Sequence, residues 1–359
     1  MDQLLSITWD AGRGIDLGFF TLRYYSLLFA LGFVLGYFIM KRIFKREGIP
    51  IEKLDTLLTY TVVATIVGAR LGHVFFYQWD YYSQHPWDII KVWEGGLASH
   101  GAAVAIIIAM IIYSKKVLGK STLWILDRVV ITVALAGCFI RLGNFANSEI
   151  YGDVSNSAWE MVFTNPVRER ILNTTGDAIS EIEFIEKEEY EITDTITYPI
   201  YDLEVHFNPK FPSREAAQTY FIQHVKPLLA SAMKEDKNLL ITGTEFEWDE
   251  SETMVGTIEA RGYPRRPTQI FEALAYLAIF FILARLYLVA DVRQRVGMLF
   301  GLFLILVFGF RFAIEFLKEN QVSAEEGRAF NIGQSLSIPL VIAGLYFSIF
   351  AKKLKNEKE

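Results

Sequence analysis

Residues 141–152 read Arg-Leu-Gly-Asn-Phe-Ala-Asn-Ser-Glu-Ile-Tyr-Gly and follow an apolar run over 129–140. An arginine, two asparagines and a glutamate are thereby set at membrane depth or at its edge, where a charged side chain costs about 2.5–3.5 kcal/mol on insertion scales. A cluster that costly usually faces a cavity, which here implies a polar, cationic site meeting a lipid or peptide ligand from within the bilayer. Arg141 and Asn144 stand three apart, so a helix points them the same way. The planar guanidinium fork fits phosphate oxygens in pairs, which a lysine does not. A snorkelling or capping arginine is the plainer reading, and Asn144, Asn147 and Glu149 beside it weigh against that.

Arg311 and Glu315 lie four apart in the run 297–316, a spacing for an intrahelical ion pair. Such a pair is ordinarily a way to bury two charges together. A second arginine on another span, however, would let two guanidiniums clamp one phosphate. His100, in Glu94-Gly95-Gly96-Leu97-Ala98-Ser99-His100-Gly101-Ala102, is the general-base candidate among five histidines. It starts a span in a glycine-rich turn that lets backbones approach closely, and imidazole changes charge in the physiological range. A hydrogen-bonded packing histidine is the competing reading. Tyr25 begins a span at an interface, where tyrosine also serves as a simple anchor. No His/Cys/Asp/Glu spacing marks a metal site, and neither a glycine-rich phosphate loop nor a serine nucleophile elbow is visible.

The elements that must position these residues follow from composition. The chain has 359 residues, 52% hydrophobic and 21% charged, with 28 Phe and 17 Tyr. Its mean hydropathy is positive, the profile of a polytopic membrane protein with one polar insert. The net charge of −6 averages over an acidic stretch, 177–259, and basic clusters elsewhere, so nucleic acid is excluded as a partner. The single cysteine, Cys138, lies in an apolar run and reads as a small buried hydrophobe, without disulfide or thiol-metal chemistry.

After a short amphipathic lead over 4–22, broken by Gly12, Gly14 and Gly18, apolar runs occupy 24–40, 57–77, 97–113, 122–145, 270–289, 297–316 and 332–351. Each is near the roughly 20 residues that a helix needs to span. Basic clusters at 41–46, 115–120, 293–295 and 352–355 fall on one side under a single topology, with the amino terminus outside and the carboxyl terminus in the cytoplasm. The lead does not look like a cleavable signal peptide, whose charges precede its apolar core. Trp79, Tyr81, Tyr82, Trp87 and Trp93 give the loop 78–96 the aromatic density of a membrane interface. The expected fold is therefore an all-α bundle of about seven transmembrane helices. A small α+β extracytoplasmic head is inserted between the fourth and fifth spans, giving parts 1–164, 165–261 and 262–359.

In the insert, 183–205 alternates apolar and polar residues as strands do, and 239–258 continues the pattern. The stretch 213–234 suits a helix capped by Ser213, with Ala216, Tyr220, Val225 and Leu229 on one face and Pro227 kinking or splitting it. No catalytic constellation stands out there, and its acidic runs read as a solvated face.

These residues together resemble bacterial prolipoprotein diacylglyceryl transferases. The likeness rests on the 141–152 stretch, Tyr25 in Arg-Tyr-Tyr-Ser, Arg70 in Ala-Arg-Leu-Gly, Trp93 through Gly101, Pro267-Thr268-Gln269, Arg311 through Phe316, and Gly333-Gln334 with Ser337-Ile338-Pro339. Ala102, Val307 and a long outer insert depart from the family pattern. The resemblance implies a multi-pass enzyme of the bacterial plasma (inner) membrane. It would transfer the diacylglyceryl group of phosphatidylglycerol to the lipobox cysteine in a prolipoprotein signal peptide, leaving a thioether and glycerol 1-phosphate, the first step of lipoprotein maturation. It also implies functional positions at Tyr25, His100, Arg141, Asn144, Glu149, Gly152, Arg311 and Glu315. Arg141 and Arg311 would clamp phosphate, Asn144, Asn147 and Glu149 would position it, and His100 would take the thiol proton unless the arginines alone lower the thiol pKa. Tyr25 would hold lipid or aid proton transfer. No metal, nucleotide or other cofactor is expected, and membrane lipids surround the site. The rival readings are a transporter of an anionic or lipid substrate and a receptor-like protein; no internal repeat of the transporter kind is found.

Overall fold

The computed structural model describes residues 6–18, 21–157, 159–193, 195–232, 238–251, 254–318 and 330–353. Among them, seven helices are long and apolar enough to cross a membrane, so the chain is a polytopic helical membrane protein. These are α1 (Tyr24–Arg46), α2 (Ile51–Tyr77), α4 (Ser99–Tyr113, continued by a π turn to Leu118), α5 (Thr122–Ala146), α9 (Thr268–Leu288), α11 (Met298–Ile314, continued by a 3-10 turn to Leu317) and α12 (Ile332–Ile349). Shorter helices are α3 (Trp79–Gln84), α6 (Asn165–Thr175), α7 (Arg214–Tyr220), α8 (Lys226–Ala232) and α10 (Ala290–Gln294). Lys45 and Arg46 in the last turn of α1 complement its dipole, and Ser121 Oγ accepts from Trp124 N at the start of α5 (3.2 Å).

The chain forms two compact units. The first comprises Met1–Phe29, Cys138–Ala275 and Phe310–Leu336. Its amino-terminal part is strand and not helix: β1 (Ile7–Trp9) runs parallel to β4 (Met161–Phe163), and β2 (Gly14–Asp16) pairs with β3 (Thr21–Arg23). A five-stranded sheet follows the order β5-β6-β9-β7, with β8 also on β9, from β5 (Ile179–Thr193), β6 (Ile196–Phe207), β7 (Leu239–Ile241), β8 (Glu247–Trp248) and β9 (Val255–Gly262). Val205, Leu203, Tyr201, Ile258 and Ala260 of the sheet share one buried cluster with Ala217, Phe221, Val225 and Leu229.

That helical face keeps Val225 and Leu229, with Tyr220 packed at its margin, while Ala217 takes the place of Ala216, because full burial here recurs every fourth residue. Nor does Pro227 split the helix. A π turn, Phe221–Val225, precedes it and joins α7 to α8. The wider i→i+5 bonding absorbs the carbonyl clash and missing donor that proline brings to an α-helix. Ser213 Oγ caps α7 by accepting from Ala216 N (3.2 Å); residues 233–234 lie outside the described residues.

The second unit comprises Ala30–Gly137, Tyr276–Gly309 and Ser337–Glu359. Here α2 and α4 touch backbone to backbone: a Cβ on Gly101 would stand 2.3 Å from Gly68 O and 2.6 Å from Gly72 Cα. Small residues permit such contact where lipid offers helices no hydrophobic drive to associate. Strands β10 (Arg295–Val296) and β11 (Lys352–Lys353) pair antiparallel. Among the described residues, the buried charges Arg70, Asp127 and Arg128 of this unit each meet polar or charged partners. Arg128, 1% exposed, meets Glu47 Oε1 at 3.1 Å and lies over the Trp124 ring at 4.1 Å. Asp127 accepts from Gly297 N (2.7 Å) and Phe300 N (2.8 Å), capping the start of α11.

Asp127→Ala leaves those two amides without their acceptor. We expect a loss of about 2 kcal/mol, read as a lower Tm of the detergent-purified protein, with Asp127→Asn losing less.

Candidate functional site

The polar stretch begins on the last turns of α5 and leaves the helix in a strained turn. Asn147 N, Ser148 N and Glu149 N donate to Gly143 O, Phe145 O and Asn144 O. Ser148 and Ile150 then take left-handed φ values of 54° and 58°. Such a conformation costs about 1–3 kcal/mol for a non-glycine residue and persists only when its surroundings enforce it. The start of α9 does so. Gln269 Nε2 donates to Glu149 O (2.8 Å), and Thr268 Oγ1 to Ile150 O (3.3 Å). Asn165 Nδ2 adds a bond to the buried Ser148 Oγ (3.3 Å).

The turn collects the polar residues that the sequence nominates. Asn144 Nδ2 and Asn147 Nδ2 both donate to Glu149 Oε1, at 2.8 and 3.3 Å. Arg141 Nη1 reaches Asn144 Oδ1 at 3.5 Å. The half-buried Tyr25 ring lies against Gly143 and within the electrostatic field of Glu149 and Arg141. Gly152 has a packing reason of its own: a Cβ there would stand 2.7 Å from Leu317 O and Thr268 Cγ2. Its carbonyl accepts from buried Arg265 Nη1 (2.9 Å), and its amide donates to Arg266 O (2.9 Å).

Two residues that sequence reasoning missed join the arginines. Arg141 Nη2 is ion-paired with Glu272 Oε1 (3.2 Å), and Glu272 Oε2 with Lys318 Nζ (2.9 Å). Lys318 also faces Glu315 Oε1 (3.7 Å), which faces Arg311 Nε (3.8 Å). The expected Arg311–Glu315 pair thus exists, but as the end of a longer chain: Arg141, Glu272, Lys318, Glu315, Arg311. Its middle is sealed, with Glu272 and Lys318 side chains 0% and 3% exposed, while Arg311 is 38% exposed. Burial holds the Lys318 ammonium below the usual lysine range, and Glu272 pulls it back upward. Asn331 Nδ2 donates to Glu315 Oε2 (3.2 Å). Asn331 is itself half of a reciprocal cap on α12: Gln334 N donates to Asn331 Oδ1 (2.8 Å), and Asn331 N to Gln334 Oε1 (3.1 Å).

His100 belongs to the second unit, in the first turn of α4. It is exposed, with Phe76 and Tyr77 rings 5.0 and 5.7 Å away. The loop leading to it is held by Arg70, only 3% exposed. Arg70 donates to Ile89 O (2.8 Å), Gly95 O (2.6 Å), Gly96 O (3.4 Å) and Asp88 O (2.5 Å), and its guanidinium lies over Tyr82.

Three ligand-type side chains meet on the five-stranded sheet without any metal-site spacing in the sequence. Strand pairing sets Glu181 opposite His206, with Glu183 on the same face, and their ligand atoms come within 4.8 Å of one another. Two strands supply them, so linear spacing did not reveal the group. His206 Nε2 is also 3.0 Å from Glu204 Oε1, and both glutamates of the group are exposed.

Lysine cannot reproduce a guanidinium bonded to four carbonyls. Arg70→Lys is expected to cost about 2 kcal/mol and to speed limited trypsin cleavage at Lys91, measured by mass spectrometry of the fragments.

Comparison with known proteins agrees along the chain's length. The model of the family described as prolipoprotein diacylglyceryl transferase matches residues 14–350. A Tolumonas auensis protein named phosphatidylglycerol–prolipoprotein diacylglyceryl transferase is 35% identical over 95% of both chains. Proteins of the same name from Porphyromonas gingivalis and Chloroherpeton thalassium are 34% and 30% identical, over 97% and 96% of this chain and 95% and 94% of theirs. The chain belongs to the prolipoprotein diacylglyceryl transferase family.

Proposed function

We propose that this protein transfers the diacylglyceryl group of phosphatidylglycerol to the lipobox cysteine thiol of a prolipoprotein. The sulfur attacks the primary glycerol carbon of the phosphate ester. A carbon–sulfur bond forms and the carbon–oxygen bond breaks, its electron pair leaving on the phosphate oxygen of glycerol 1-phosphate. The thiol proton passes to a base, and the phosphate gains negative charge as the bond breaks. Fixed cations aimed at that charge in a partly dehydrated site lower the barrier.

One observation carries this reading: in a member of this family, guanidiniums from two separate spans are joined through a single buried chain of ion pairs. Arg141 and Arg311 are assigned to the phosphate. Asn144, Asn147 and Glu149 hold the turn that presents Arg141, and Gly152 keeps that turn packed against the end of α11. His100 receives the thiol proton, unless the guanidiniums alone shift the thiol, whose ordinary pKa of about 8.5 leaves little thiolate at neutral pH. Tyr25 steadies the lipid beside Arg141.

The basic clusters support an orientation with the amino terminus outside and the carboxyl terminus in the cytoplasm of a bacterial plasma membrane. In that orientation residues 165–261 form an extracytoplasmic head between membrane parts 1–164 and 262–359, and the precursor's signal peptide and phosphatidylglycerol meet at the outer leaflet. The transporter reading has no support from relatives that carry a transferase's name.

The test is reconstitution in phosphatidylglycerol vesicles with a lipobox peptide, scored by diacylglyceryl mass added to the cysteine. Arg141→Ala is expected to lose at least about 100-fold in rate, and Arg311→Ala a comparable amount. Full activity in a folded Arg141→Ala variant removes that residue from the site.

A further inference from the structure

The buried centre of the ion chain poses a question that two arginines do not answer. Arg141 and Arg311 with Glu272, Glu315 and Glu149, which Asn144 links to Arg141, alone would sum to one negative charge, and such a site repels an anion. Lys318 changes this: a third cation cancels that excess negative charge and leaves the two guanidiniums able to act on a phosphodiester. Its position fits that task. Nζ lies between Glu272 Oε2 and Glu315 Oε1, so each carboxylate that holds an arginine is shared with the ammonium. With only one partner, a buried carboxylate would take up its guanidinium fully. At 3% exposure Lys318 has little access to a ligand of its own.

We propose that Lys318 and Glu272 are a buried positioning pair: Glu272 aims Arg141, and Lys318 keeps Glu272 and Glu315 from neutralising the two guanidiniums, so that the site binds one anionic lipid headgroup. The inference rests on the function proposed above and deepens it.

Charge arithmetic separates this role from a merely structural one. Lys318→Met leaves the site one charge negative, whereas Lys318→Met combined with Glu272→Gln restores the wild-type charge balance. With the full-length protein, Lys318→Met is expected to raise KM for phosphatidylglycerol at least about tenfold, and the double variant to recover most of that loss. Retention of phosphatidylglycerol over phosphatidylethanolamine, measured by native mass spectrometry, should follow the same order without relying on turnover. If the wild-type protein retains phosphatidylglycerol but adds no lipid to the peptide, the transferase reading fails while the binding order still judges the positioning pair. A double variant no better than Lys318→Met, or Lys318→Met equal to wild type, overturns the proposal. Should Lys318→Met not fold, Glu272→Gln alone makes the site more positive and should tighten phosphatidylglycerol retention while slowing turnover; unchanged or weaker retention overturns the proposal equally.

Discussion

Glu272 carries a carboxylate with no exposure to solvent, and the first unit is arranged around keeping it paired. An unpaired charge in that position would cost several kcal/mol, so its two oxygens face two cations, one from α5 and one just beyond α11. That constraint fixes the ends of three helices together. α9 supplies the carboxylate and, one turn earlier, the Thr268 and Gln269 bonds that enforce the left-handed residues after α5. The cap of α12 adds its own bond to Glu315. Electrostatic pairing and backbone shape are thus set by the same few residues.

The second unit meets the same cost of burial by other means. Arg70 spends its donors on backbone carbonyls of one loop, and Arg128 on Glu47, a carbonyl and an aromatic face. Arg128 also stands in an alternating chain of charges, Asp127, Arg128, Glu47 and Arg293. A buried arginine alone therefore does not mark a site.

Much of this was legible in the sequence, and what was missed has physical causes. Hydropathy located all seven spans because each must satisfy its backbone internally and show an apolar surface to lipid. Arg141, Asn144, Asn147 and Glu149 stood out because polar groups are rare at such depth, and Arg311 with Glu315 because helical spacing pairs them. Glu272 and Lys318 did not. Glu272 was a lone carboxylate in an apolar run, and that isolation was an unused signal. Lys318 follows its span on the side opposite to the other basic clusters, an irregularity in the charge pattern that could have been noticed. Their pairing crosses 46 positions of sequence, and no local rule brings them together. The helical segment around Pro227 also exceeded sequence reasoning, since a π turn is a property of hydrogen bonding and leaves no periodic mark.

The donors that hold the turn after α5 come from Thr268 and Gln269, well over a hundred residues further along. During synthesis, Arg141 and Glu149 therefore emerge long before the groups that shape and neutralise them. A nascent chain that ends ahead of α9 carries the nominated residues of this turn with none of the α9 contacts that give it its conformation. The conformation of the turn and the full pairing of its guanidinium are thus acquired late in biogenesis, when the fifth and sixth spans have been inserted.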